Sequence, residues 1–440
     1  MVVNFIDHIM KPELIFKSIL VAAVVSMASC KPEFKDVVPV KGTADFTRYI
    51  AVGNSLTSGF ADGGLYLEGQ QNSYPEMIAG QMKAAGGGAF TSPFFNADQP
   101  DGSGYLRIKS FSASGLPVTE TVAGKTAVRG QITLPGVGAV TLYTKYTGDL
   151  NNYGVPGIKI DNVDNPGYGN ANGYFERLLP AASPGNTTSY QAFVTAKPFT
   201  FFSMWLGNND ILGYASTGGG DTPTDKSRFA TKYTAMVNEL TKTGAGGIVA
   251  TIPDVLGTAY FTTVTYASLL RGVQASAPTV TDLYIQTATG PRKATAQDYF
   301  VLTLGSANLI GTVTAGLPYG LHPLNPIENR YVLDQSEAAV VADFTNSYNA
   351  TIKSVAAAKG LPVVDFNALF KEYSGAGKMV NGVTVNNAYI TGNLFSLDGI
   401  HLTQMGYAIV ANEFIKSINA KYGSSIPVVD VTKYRGVKFP

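Results

Sequence analysis

Four short apolar runs constrain this chain more than any other feature of it. Residues 49–52, 199–206, 248–252 and 361–366 each read as a strand buried on both faces. Strands of that kind need cover above and below, and stretches of helical period sit between or after them. Val341, Phe344, Tyr348, Ile352 and Val355 recur at spacings of three and four until Gly360 and Pro362 stop the pattern. Thr403 is placed to cap a helix whose apolar face holds Tyr407, Val410, Phe414 and Ile418. Pro75 to Ala85 reads as a further helix, with Pro75 in its first turn and Gly86 past its end. Strands alternating with helices predict an α/β fold around a parallel sheet.

Two stretches break the rhythm. Tyr105 to Tyr146 is rich in Thr, Val and Gly with alternating polarity, which predicts a β-hairpin insertion. Leu256 to Leu333 is long and irregular, with many Thr, Gly and Pro. Either both shape a binding cleft or both elaborate the surface. At 440 residues the length alone suggests two or three domains. A 45% apolar share supports a packed core, and 14% charged residues argue against disorder. A formal charge of +1 with no Lys/Arg-rich run excludes a field that would gather nucleic acid.

The first thirty residues read as an export signal. Lys11 and Lys17 supply positive charge, and an apolar stretch from Ile19 to Ser26 ends in the small residues Ala28 and Ser29. That stretch is too short for a spanning helix, which needs about 20 residues. Cys30, the only cysteine, follows at once in Met27-Ala28-Ser29-Cys30. This segment resembles a bacterial lipobox, which implies lipidation of Cys30 as the mature N-terminus; the other reading is a plain signal peptide with an incidental cysteine. The nine residues before Met10 are unlike a signal, so Met10 is an alternative start. The expected organisation is a leader at 1–29, a tether at 30–45 and one α/β domain at 46–423. Insertions at about 100–147 and 256–333 interrupt that domain, and a C-terminal tail occupies 424–440.

Histidine is scarce, so the search for a base is short. His8 lies in the leader region, leaving His322 and His401. His401 stands in Asp398-Gly399-Ile400-His401, where a carboxylate three residues away is placed to bond one imidazole nitrogen and free the other. His322, in Gly320-Leu321-His322-Pro323, has no acid beside it. A serine nucleophile needs a base and a turn that presents it. Ser55 follows the first strand directly in Gly53-Asn54-Ser55-Leu56, and ligands in open α/β sheets bind at the carboxyl ends of strands. No Gly-x-Ser-x-Gly elbow occurs in the chain. One Cys and three His do not make the usual zinc constellations, so neither metal nor cofactor is expected.

Four ordered segments resemble the blocks of the SGNH (GDSL-like) hydrolases. They are Gly53-Asn54-Ser55-Leu56, Asn152-Tyr153-Gly154-Val155-Pro156-Gly157, Gly207-Asn208-Asn209-Asp210 and Asp398-x-x-His401. Asn54 departs from the aspartate common in the first block. The resemblance implies a flavodoxin-like three-layer sandwich with a central parallel sheet. It further implies Ser55 as nucleophile, the Asp398–His401 pair as base, and an oxyanion site formed by Ser55, Gly154 and Asn209. The implied activity is carboxylic ester hydrolysis. The polar, aromatic insertions favour short acyl groups on a polar carrier such as a glycan. Lipase, lysophospholipase or thioesterase action is the alternative within the family, and a non-catalytic glycan-binding surface lipoprotein is the alternative outside it. The only expected contact with a membrane is the lipid, on an outer-membrane protein facing the periplasm or the cell surface.

Overall fold

The computed structural model describes residues 38–112 and 117–440; the leader, His8 and Cys30 lie outside them. Five parallel strands form the centre: β1 (Tyr49–Gly53), β2 (Asn152–Gly154), β3 (Phe201–Trp205), β4 (Gly246–Ala250) and β5 (Val363–Val364). Their spatial order is β2-β1-β3-β4-β5, the doubly wound order whose direction reverses between β1 and β3.

Period-two alternation decides which side chains meet which helices. Tyr49, Ala51, Phe201, Trp205 and Ile248 face one layer, together with α2 (Tyr74–Met82) and α6 (Gln404–Tyr422). Ile50, Val52, Phe202, Met204 and Val249 face the other, against α4 (Lys226–Thr241) and α5 (Gln335–Ala358). Trp205, the only tryptophan, is fully buried, stacks on Phe366 at 4.4 Å and donates its indole N–H to Thr251 O at 3.0 Å. A buried Trp needs such a partner for its N–H. This is the three-layer sandwich around a parallel sheet that the sequence resemblance implied.

The predicted strands and helices are present with shifted ends. The last run yields only two strand residues, because Pro362 has no N–H to add to the ladder and Asp365 already caps a helical turn at Phe366. β2 gives no strand signal in the sequence, because three residues are too few for a period. Thr403 caps α6 as expected, accepting from Gly406 N at 3.0 Å.

The first insertion holds two antiparallel pairs, Tyr105–Phe111 with Pro117–Val122 and Val128–Leu134 with Gly138–Tyr143, where a single hairpin was expected. The second has a small core of its own, including Leu283, Ile285, Phe300, Leu304 and Ile327. The 424–440 segment is packed, with Ile426, Val429 and Val431 buried against α6 and its neighbours. Among the described residues, no helix is long and apolar enough to cross a membrane.

Candidate active site

The site lies at the carboxyl ends of β1, β3 and β4, beside the reversal of strand order. β1 ends at Gly53, and a single turn, α1 (Ser55–Ser58), begins two residues later. A side chain at Gly53 would meet Thr57 Oγ1 at 1.9 Å and Trp205 O at 2.9 Å, so the close approach of α1 demands glycine there. Asn54 caps the turn, its Oδ1 accepting from Leu56 N at 3.0 Å. The amide thus does the local bonding that the departure from aspartate left open. Tyr190 ties β1 to β2 through one hydroxyl, at 3.1 Å from Gly53 N and 2.6 Å from Tyr153 O.

That turn presents Ser55 Oγ at 2.8 Å from His401 Nε2, although 346 residues separate them in sequence. His401 Nδ1 lies 2.8 Å from Asp398 Oδ2. Asp398 Oδ1 accepts the backbone N–H groups of Ile400 at 2.9 Å and His401 at 2.8 Å, and Oδ2 accepts that of Gly63 at 2.9 Å. Burial pushes the Asp398 carboxyl up, but His401 and these N–H groups outweigh it and hold the acid well below the usual carboxylate range. Phe60 packs its ring against the imidazole at 4.5 Å between centroids.

Asn209 opens α3 (Asn209–Ser216) just beyond β3. Its side-chain amide donates to Ile158 O at 3.0 Å, which leaves a second amide hydrogen. Asp210 is buried and accepts from Ile160 N at 2.8 Å and Thr224 Oγ1 at 2.7 Å. Its burial raises the acid to about 6. Together Asn209 and Asp210 hold the segment after β2 against the end of β3.

One expected placement needs correction. The Gly154 N–H is already donated to Asn152 Oδ1 at 3.0 Å, and Gly154 packs beneath α1, where a Cβ would lie 2.3 Å from Ser58 N. It is not free to meet a substrate. Gly157, on the exposed turn three residues later, has an N–H without a partner among the described residues. His322 is elsewhere, in a turn of the second insertion, where its Nδ1 accepts from Leu324 N at 3.1 Å. Phe60, Gly63 and Tyr190, which the sequence did not single out, carry no motif; only their contacts mark them.

Ser55, His401 and Asn209 border a cavity of about 50 Å³. Its other walls are mostly apolar, among them Leu212, Ile252, Val255, Phe370 and Phe395. Among the described residues, no group of three or more His, Cys, Asp or Glu is arranged to hold a metal ion.

A model of the GDSL-like lipase/acylhydrolase family matches residues 49–414. The chain belongs to this family. As a GDSL-like hydrolase it is a carboxylic ester hydrolase, and all four of its ordered blocks lie within the matched span. Solved structures that resemble it include a lipase/acylhydrolase from Enterococcus faecalis, at 12% identity and a TM-score of 0.33, covering 87% of this chain and 100% of that one. The acetyl xylan esterase AlAXEase is similar at 12% identity and a TM-score of 0.34, covering 84% and 98%. A variant of an acetyl xylan esterase from Geobacillus stearothermophilus gives 12% and 0.33, covering 89% and 100%. No curated protein sequence matches the chain.

Proposed function

We propose that this GDSL-like hydrolase is a serine esterase working through an acyl-enzyme, with Ser55 as nucleophile, His401 as general base and Asp398 as the group that orients it. The observation that carries the reading is the pair of 2.8 Å contacts running from Ser55 Oγ through the imidazole to Asp398. As Ser55 Oγ attacks the ester carbonyl, its proton passes to His401 Nε2, while Asp398 fixes the other nitrogen and stabilises the imidazolium. The tetrahedral intermediate collapses, the imidazolium gives its proton to the departing alcohol, and the acyl group stays on Ser55. Water, deprotonated by the same imidazole, then releases the acid.

The negative oxygen formed in each step is assigned to three donors: the Ser55 N–H, the Gly157 N–H and the free amide hydrogen of Asn209. Gly157 replaces Gly154 in this role because its N–H is unspent and because Asn209 grips the neighbouring Ile158 carbonyl. Donors of this kind act chiefly on the transition state.

The size of the cavity bears on the acyl group. An apolar cavity of about 150 Å³ takes a benzene; one of about 50 Å³ suits an acyl group of two or three carbons. The substrate is therefore assigned as a short acyl ester of a polar carrier such as a glycan, with longer-chain lipase or thioesterase action as the other outcome. The leader pattern and Cys30 support an exported, lipid-anchored protein at the outer membrane. In the test, the chain is treated with a serine-reactive phosphonate and assayed on soluble esters of graded chain length. Labelling at Ser55, loss of hydrolysis in Ser55→Ala and a preference for acetyl or propionyl are expected. Parental turnover by Ser55→Ala would remove the proposal.

A further inference from the structure

Between α1 and the first insertion the chain makes a tight reversal. Ala61 N donates to Gly64 O at 3.0 Å, and Gly64 N donates back to Ala61 O at 2.9 Å. The two residues between them, Asp62 (φ 53°) and Gly63 (φ 75°), are both left-handed. Paired positive φ angles define a type I′ turn, for which Asp-Gly is a favoured sequence. Such turns usually sit in solvent with the aspartate exposed. Here Asp62 is only 7% exposed.

The reason lies in what the turn touches. The Asp62 N–H donates to Ser396 Oγ at 2.9 Å, and Asp62 Oδ1 accepts the Leu397 N–H at 3.0 Å. The Gly63 N–H donates to Asp398 Oδ2 at 2.9 Å. Three successive residues, Ser396, Leu397 and Asp398, are thus gripped by two turn residues some 335 positions away in sequence. Ser396 Oγ also lies 3.3 Å from Asp398 Oδ1. The other Asp62 oxygen accepts the Tyr66 hydroxyl at 2.8 Å. Arg435 bonds Glu68 at 3.0 Å and reaches Tyr66 Oη at 3.4 Å, so a cation stands behind the group. Burial of the Asp62 carboxylate is costly, and the charge of Asp398 beside it adds to that cost. A residue kept there against both effects has a task that outweighs them.

We propose that Asp62 is a positioning residue for the Asp398–His401 pair. It fixes the loop that carries Asp398, and through it the rotamer of the imidazole facing Ser55. The inference rests on the serine-esterase reading above. The Ser55 turn, the Phe60 ring against His401 and the Asp62-Gly63 clamp all come from one stretch of nine residues, 55–63, so that stretch sets the mutual placement of the three groups.

The test uses the full chain and compares parent, Asp62→Ala, Asp62→Asn and Ser55→Ala. Each is followed by its rate of phosphonate labelling, by kcat and KM on a short acyl ester, and by thermal melting. Misplacing a reacting group by about 1 Å costs about a hundredfold. Asp62→Ala should therefore lose about tenfold to a hundredfold in kcat and in labelling rate, with KM within about twofold of the parent. Asp62→Asn keeps an acceptor for the Leu397 N–H and should recover to within about threefold. Parental labelling and kcat in Asp62→Ala, or a loss confined to KM, would overturn the assignment. So would an asparagine variant as slow as the alanine one. If Asp62→Ala does not fold, Ser396→Ala decides the matter: a kcat lowered about threefold to tenfold supports the clamp, and a parental kcat refutes it. A parent that takes no label at Ser55 would remove the serine reading, and this inference with it.

Discussion

Asn209 has two amide hydrogens: one holds Ile158 O, and the proposed mechanism gives the other to the substrate oxygen. Asn209→Ala should therefore lower kcat by about 10²–10³, since oxyanion donors act on the transition state, with KM changed far less. Steady-state kinetics on a short ester checks this, and an equal loss in KM would contradict it. The Asp398 carboxyl is depressed in the folded chain, so it contributes stability that is complete above the unfolded value of about 4 and lost as pH falls below it. The difference in melting temperature between parent and Asp398→Asn should shrink as pH drops below about 4. At this scale the sequence was most informative where residue types were rare. Three histidines left few choices, and Asp398, three positions before His401, marked the one that the fold brings to Ser55. It misled at Gly154, because whether a backbone N–H is free depends on the rotamer of Asn152, which no motif records.

Among the elements, α6 shows how a cap and a site depend on one another. Thr403 accepts from Gly406 N and donates to Asn393 O, joining the helix start to the loop before His401. Thr403→Ala should cost about 0.5–2 kcal/mol in denaturant unfolding, the range for a lost N-cap. An unchanged midpoint would show that the helix is held by packing alone. Buried strands β1, β3 and β4 were legible because apolar residues fill both faces. β5 was legible as an apolar run although only two of its residues join the ladder, and β2 was not, since three residues carry no period. α4 packs Phe229, Tyr233, Met236, Val237 and Leu240, a helical spacing present in the sequence but diluted by Lys and Thr on its outer face. The insertions were legible as departures from the pattern and not as structures. Their strand pairs satisfy one another locally and leave the central sheet unchanged.

For the molecule as a whole, the C-terminal segment is part of the core. Removing residues 424–440 would strip Ile426, Val429 and Val431 from the layer beneath α6. Full burial of each is worth about 1.5–3 kcal/mol, so the loss approaches the 5–15 kcal/mol that holds an ordinary domain together. Such a truncated chain should melt far below the parent or fail to accumulate as folded protein, as calorimetry would report. Where the chain enters the domain has a different consequence. Thr43 N bonds Tyr422 O and Ser425 N bonds Val40 O, at the far end of α6 from Thr403 and His401. α6 has 19 residues, about 28 Å of helix. The entry to the domain and the Ser55–His401 pair therefore stand at opposite poles of one helix, so a chain held by its entry would keep the mouth of the site at the far pole.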